Sequence, residues 1–242
     1  MTATNDQAMQ AQLYAHYDDW KGWATPFVCG DEMAAYFTAE LRGRALKDRD
    51  VLEIGFGNGE FLGWARSQGA RISGSELTPA SVAAAEAAGI ALIAPDFEGH
   101  APMPDSFDVI AAFDVFEHLD VATIMAKLTA IDAMLRPGGW LILRFPNGQS
   151  PFGLGPQHGD ATHVTALSRA KIEQYAGHTS LATLHYGGAA RPRSGSIAKR
   201  VVRSLRYGLR DAHMKAIRFL YATDIELEPV VTHILAKRPG VG

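Results

Sequence analysis

At 242 residues, 47% of them hydrophobic and 20% charged, the chain holds enough apolar material for one sizeable core. A formal net charge of -3 removes any overall electrostatic case for nucleic-acid binding. The single cysteine, Cys29, excludes an internal disulfide and fits a reducing compartment. Met1 to Gln12 is polar and lacks the apolar core of a signal peptide, and no apolar run approaches the roughly 20 residues that span a bilayer, so a cytoplasmic protein is expected.

In chain order, Gln7 to Tyr17 can be helical. Tyr14, Tyr17, Trp20, Trp23 and Phe27 then crowd together, broken by Gly22 and Pro26. This reads as a helical cap on the body of the protein, and Trp23 as a residue that could close over a substrate. Asp31 to Leu41 reads as a helix with Met33, Tyr36, Phe37 and Leu41 on one face. Val51 to Ile54 is a short apolar run of the kind that forms a buried parallel strand. Gly55, Gly57 and Gly59 follow at alternate positions, and Glu60 to Ser67 reads as a helix. Strand, glycine turn and helix open a doubly wound nucleotide-binding sheet. The dinucleotide fingerprint places its third glycine one residue later, where Glu60 stands here. A carboxylate at a helix start suits the helix dipole but not a pyrophosphate. A ligand with a positive centre and no phosphate fits better, and S-adenosylmethionine (SAM) is such a ligand.

At this point the sequence resembles the class I SAM-dependent methyltransferases, whose first motif stands here as Glu53, Gly55, Gly57 and Gly59, with Phe56 and Asn58 inside it. The resemblance continues along the chain. Arg71 to Glu76 is a second strand ending in an acid. Glu76, with Leu77 beside it, is implied to accept hydrogen bonds from the ribose hydroxyls; the bland alternative is a loop acid that caps a helix. Thr78-Pro79 starts a helix through Ala88. The third strand is Ile90 to Ala94, after which Asp96 is implied to meet the adenine amino group and Phe97 to pack on the ring. Ser106 to Phe113 is the fourth strand, with Asp108 at its start, far from the chemistry. Phe113 and Asp114 stand at its carboxyl end, where ligands bind in such sheets. His118 could face the substrate or be structural. Ile124 to Met134 is an amphipathic helix, Leu135 to Gly139 a turn, and Trp140 to Phe145 the fifth strand.

Pro146 to Thr165 is rich in glycine and proline, which argue against regular structure. It also carries Asn147, Gln157, His158, Asp160 and His163. A long structureless loop in a compact domain is usually functional, and Asn147 and Gln157 read as substrate-binding. His158, Asp160 and His163 admit three readings: a general base for a substrate hydroxyl, a metal site without an evident fourth ligand, or loop packing. The base reading is taken forward, with His163 and Asp160 first and His158 next, and no metal is assigned. The loop is loosely similar to those of methyltransferases of bacterial polysaccharide and lipopolysaccharide synthesis.

Ser168 to Gly177 reads as a helix and Leu181 to Tyr186 as the sixth strand. Between Arg191 and Arg218 lie nine of the chain's 23 lysines and arginines, including Arg193, against Asp211 alone. Val201, Val202, Leu205, Leu209, Ile217 and Leu220 give partial helical periodicity. This is a solvated helical face, or a surface for an anionic substrate or a membrane. Glu228 to Lys237 is the last strand.

The resemblance implies one α/β domain of Rossmann-like class I methyltransferase fold: seven strands in the order 3-2-1-4-5-7-6, the last antiparallel, with helices on both faces. Within it, residues 1–45 form the cap, 46–186 the SAM-binding core with the substrate loop at 146–165, 187–227 the basic insertion, and 228–242 the last strand and tail. The expected activity is methyl transfer from SAM to an oxygen of a small molecule, sugar or glycan. Rivals are a methyltransferase for a quinone or other small metabolite, an NAD-dependent oxidoreductase, and a non-catalytic relative. Nucleic acid is not an expected partner, and the oligomeric state is left open.

Overall fold

The computed structural model describes residues 25–100, 103–192 and 195–239. The expected helix at Gln7 to Tyr17, Trp23 and Arg193 lie outside these. Seven strands form one sheet: β1 Asp50–Ile54, β2 Arg71–Ser75, β3 Ala91–Leu92, β4 Phe107–Phe113, β5 Leu135–Pro146, β6 Leu181–Gly188 and β7 Val230–Lys237. Their order is 3-2-1-4-5-7-6. β1 to β5 run parallel, and β7 lies antiparallel between β5 and β6. The expected sheet is therefore present.

The helices are α1 Asp31–Glu40, α2 Glu60–Ser67, α3 Pro79–Ala87, α4 Val121–Met134, α5 Leu154–His158, α6 Arg169–Tyr175 and α7 Ile197–Leu220. Successive strand side chains point to opposite faces, which splits the core in two. Leu52, Ile110, Leu128, Ile131 and Leu141 pack on the α4 side. Val51, Phe37, Phe61, Trp64, Val109 and Ile142 pack on the α1 and α2 side. Phe37, Phe61 and Phe113 meet within 5.1–5.7 Å between ring centroids, an aromatic wedge behind the glycine turn.

Some boundaries differ from expectation. α4 begins three residues early because Asp120 caps it, its side chain accepting from the Thr123 N–H at 2.7 Å. β3 keeps only two paired residues. β5 starts at Leu135, with an irregularity in its pairing between Phe107 and Val109 of β4. The glycine- and proline-rich loop contains a short helix, α5, where none was expected. At the far end of the sheet, Asp108 accepts from the Asp50 N–H and pairs with Arg49 and Arg136, a structural clasp away from the site.

Three arginines of α7 turn toward the body of the protein: Arg203 pairs with Glu32 at 2.5 Å, Arg210 with Glu228 at 2.5 Å and Arg218 with Glu226 at 3.0 Å, while Lys199, Arg200, Arg206 and Lys215 stay exposed. Met214 is the helix's one buried residue. Ile197, Val201, Leu205, Leu209 and Phe219 face outward, from 53% to 85% exposed.

Candidate active site

The carboxyl ends of β1, β2 and β4 open onto a cleft of about 360 Å³, a size usual for small-ligand sites. The turn after β1 forms one wall. Gly55, Gly57 and Gly59 have φ of +64°, +52° and +71°, a region that L side chains avoid. A Cβ on Gly55 would lie 2.6 Å from Val115, and one on Gly59 would lie 2.2 Å from the Phe27 ring. Phe27 also donates its N–H to the Asn58 carbonyl at 2.9 Å. The segment before α1 is thereby seated on the turn.

Glu76 holds the turn from β2. One carboxylate oxygen accepts from the Gly57 N–H at 2.7 Å, and the other from Leu77 and Thr78 at 2.6 and 3.0 Å. Glu53 forms part of the cleft and is buried, and its Oε2 has no hydrogen-bond partner among the described residues. Burial, then the charge of Glu76, raises its pKa well above the usual carboxylate range. Burial likewise raises Glu60.

Sequence reasoning missed Arg144, which crosses the cleft from β5. Its Nε donates to Asp114 Oδ1 at 3.0 Å, its Nη2 to the other oxygen of that carboxylate, and its Nη1 to the Tyr36 hydroxyl at 3.0 Å. The guanidinium also lies over the rings of Phe113 and Tyr36, at 5.2 and 5.4 Å. Burial opposes its charge, yet Asp114 and Tyr36 raise its pKa further. Burial pushes the Tyr36 hydroxyl up to about 12. The only signal in the sequence was one arginine inside an otherwise apolar strand.

Glu53, Glu60, Glu76 and Asp114 all line the cleft, and among the described residues Arg144 is its one Lys or Arg. Such a lining repels a pyrophosphate and suits a cationic ligand. The buried, unpaired Glu53 oxygen and the tightly turned glycines fit a phosphate-free donor such as SAM.

Beyond the donor end, a 3₁₀ turn at Phe116–His118 brings in a polar cluster. Glu117 is 0% exposed, and neither carboxylate oxygen has a hydrogen-bond partner among the described residues. Burial, then Asp114, raises its pKa well above the ordinary value. His118 lines the cleft, and its ring meets that of His163 edge to face at 4.6 Å. Burial, then His163, lowers the His118 pKa. The loop is tied here through its backbone, because Val164 and Thr165 both donate N–H to the Glu117 carbonyl, at 2.9 and 3.0 Å. Sequence reasoning gave Glu117 no role.

The other expected site residues are placed as follows. Phe56, Asn58, Leu77, Phe113 and Asp114 line the cleft with the glycines. Asp96 does not; its side chain is 75% exposed and 3.8 Å from His100. Phe97 is buried in the core, with the Lys127 amine 4.2 Å from its ring centroid, rather than offered to a ligand. Asn147 is buried too, its amide donating to the carbonyls of Glu226 and Glu228 at 2.7 and 3.0 Å. It anchors the loop to the start of β7. Gln157 is buried on α5, and its backbone carbonyl meets His163 Nδ1 at 3.1 Å. His158 is exposed at the end of α5, apart from the cluster. His163 and Asp160 do come together, with Nε2 and Oδ2 4.0 Å apart.

The fold and cleft are those of a class I SAM-dependent methyltransferase. A model of the family described as "Methyltransferase domain" matches residues 31–188, and the chain belongs to that family. No curated protein matches it in sequence. Among solved structures, it is similar to a SAM-dependent methyltransferase from Archaeoglobus fulgidus, with a TM-score of 0.63 and 16% identity over 86% of this chain and 95% of that one. A SAM-dependent methyltransferase from Mesorhizobium loti gives 0.58 and 15% over 84% and 97%. A geranyl diphosphate methyltransferase bound to geranyl diphosphate and sinefungin, a SAM analogue, gives 0.55 and 14% over 86% and 79%. At these identities the structures speak for the fold; the family match makes the protein a methyltransferase with SAM as its cofactor.

Proposed function

We propose that the enzyme methylates a hydroxyl oxygen of a sugar, glycan or other small hydroxylated acceptor. One observation carries the reading: Glu117, His118, Asp160 and His163 gather beside the cleft, and His118 opens onto it. SAM supplies an electrophilic methyl group on a sulfonium. An alcohol is a poor nucleophile until its proton is removed or shared, and a cluster of imidazoles and carboxylates serves that step. Glu76 is the residue to hold the ribose, and Glu53 and the glycine turn the methionine end. Closing the cleft fixes the acceptor oxygen against the methyl, which is where such enzymes gain most of their rate.

The outward stripe of α7 supports an acceptor presented at an anionic membrane surface, such as a lipid-linked glycan. At 100° per residue, Lys215 borders the apolar stripe on one side and Lys199 and Arg206 on the other, all three exposed. That is the layout of a helix lying in a lipid interface. The geranyl diphosphate bound by the geranyl diphosphate methyltransferase favours a second reading, a methyltransferase for a quinone or other small metabolite.

Calorimetric titration with S-adenosylhomocysteine, with NADH as control, comes first. Micromolar binding of the first alone, followed by methyl incorporation into nucleotide sugars or glycans, is the expected result. Incorporation confined to quinols or other small metabolites would replace the glycan reading with the second one. NADH binding alone would overturn the donor assignment.

A further inference from the structure

We propose that Glu117, His118 and His163 form a binding site for a divalent first-row transition cation, which receives the acceptor hydroxyl. This deepens the O-methyltransferase reading and rests on it. The three side chains each offer a ligand atom, all within 4.8 Å of one another. Catalytic zinc sites use such a set, two imidazoles and one glutamate with a position left open, at about 2.0–2.2 Å from the metal.

Hydrogen bonding fixes how the imidazoles are presented. Thr162 Oγ1 donates its one proton to Asp160 Oδ1 at 2.5 Å, so toward His118 Nδ1, 2.9 Å away, it can only accept. The Nδ1 of His118 therefore carries the hydrogen, and the Nε2 carries the lone pair. His163 Nδ1 faces the Gln157 carbonyl at 3.1 Å, which also can only accept, so here too the lone pair is on Nε2. Holding the distal N–H on a carbonyl or hydroxyl is how proteins orient metal-binding histidines. Two imidazoles thus stand beside a fully buried carboxylate whose oxygens find no donor among the described residues. A buried carboxylate in that state is costly unless a cation or a proton completes it. A proton can be shared by two of these groups, whereas a cation can be held by all three. Two imidazoles select a transition ion over magnesium or calcium.

The placement serves the reaction. On the open position the acceptor hydroxyl is acidified, as metal-bound water is. Its proton passes to Asp160, 4.0 Å from His163 Nε2, or to solvent. The oxygen–methyl bond forms, and the donor's carbon–sulfur bond breaks with its electron pair left on sulfur.

The test is titration of chelator-treated protein with cobalt(II), read by visible absorption and calorimetry. Wild type is expected to develop d–d bands that saturate. Glu117→Gln and His163→Ala should each weaken binding by at least ~10-fold, and so should Thr162→Val, which only removes the group orienting His118. S-adenosylhomocysteine affinity, measured on the same proteins, reports folding and should stay within about twofold, since none of the three lines the donor cleft. No bands in wild type, or equal bands in all three variants, overturns the site and leaves a shared proton as what completes the cluster. Failure of wild type to bind S-adenosylhomocysteine overturns the donor reading instead, while the cobalt titration still judges the metal site.

Discussion

Burial, helped by Arg169 and His185 and opposed by Glu173, disfavours the charged imidazole of His233. It sits inside the sheet, 0% exposed, with Nε2 against Thr183 Oγ1 at 2.7 Å, and desolvation brings its pKa down to about 4. The unfolded chain takes up this proton near pH 6.5, before the folded one does. Its contribution to stability is therefore complete above pH 6.5 and is lost as the pH falls toward 4. The gap corresponds to about 3 kcal/mol. Urea unfolding of wild type and His233→Gln across this range should show the difference between them shrinking by roughly that amount as pH falls; a constant difference would refute the assignment. Single residues were unevenly legible in the sequence. The glycines, Glu53 and Glu76 could be placed because strand, turn and helix fix their positions locally. Asn147 and Gln157 were taken for substrate residues because polar groups in a glycine- and proline-rich loop look exposed. Nothing nearby in sequence reveals that the Asn147 amide is held by carbonyls some eighty residues later. Glu117 likewise becomes meaningful only when His163 arrives beside it.

Among elements, α7 was the least legible in the sequence. Periodicity located the helix but not the direction of its faces, because the anions that draw its arginines inward, Glu32, Glu226 and Glu228, lie on other segments. An apolar face left in water costs solvation that a lipid interface returns. Vesicles containing phosphatidylglycerol should sediment the protein, neutral phosphatidylcholine vesicles much less. Leu205→Glu with Leu209→Glu should weaken the binding at least ~10-fold without loss of thermal stability, since both side chains are exposed. Equal binding of the double variant would refute the membrane assignment, and so would no binding to either vesicle. Strand positions, in contrast, were well marked, since buried parallel strands read as short apolar runs. The strand order came from the family resemblance. The two-residue β3 shows the limit of that reading, because ladder pairing depends on its neighbour β2.

At the scale of the whole molecule, the segment before α1 and the donor turn are keyed together through one residue. Phe27 touches two glycines in different ways. A Cβ at Gly59 would meet its ring at 2.2 Å, whereas one at Gly63 would meet its carbonyl oxygen at 2.1 Å. A ring can be trimmed away, but a carbonyl belongs to every residue. Phe27→Ala should therefore recover part of the stability lost in Gly59→Ala, with a coupling of about 1 kcal/mol or more in a double-mutant cycle. The cycle with Gly63→Ala should show a coupling near zero, and equal couplings would contradict the geometry. In the vocabulary of heredity, position 59 is conditional: an alanine there becomes tolerable only in a lineage where position 27 has already shrunk, and the left-handed backbone still exacts its toll. Position 63 has no such route. The order in which substitutions can be accepted around the donor turn is thus set by whether a side chain or a backbone stands in the way.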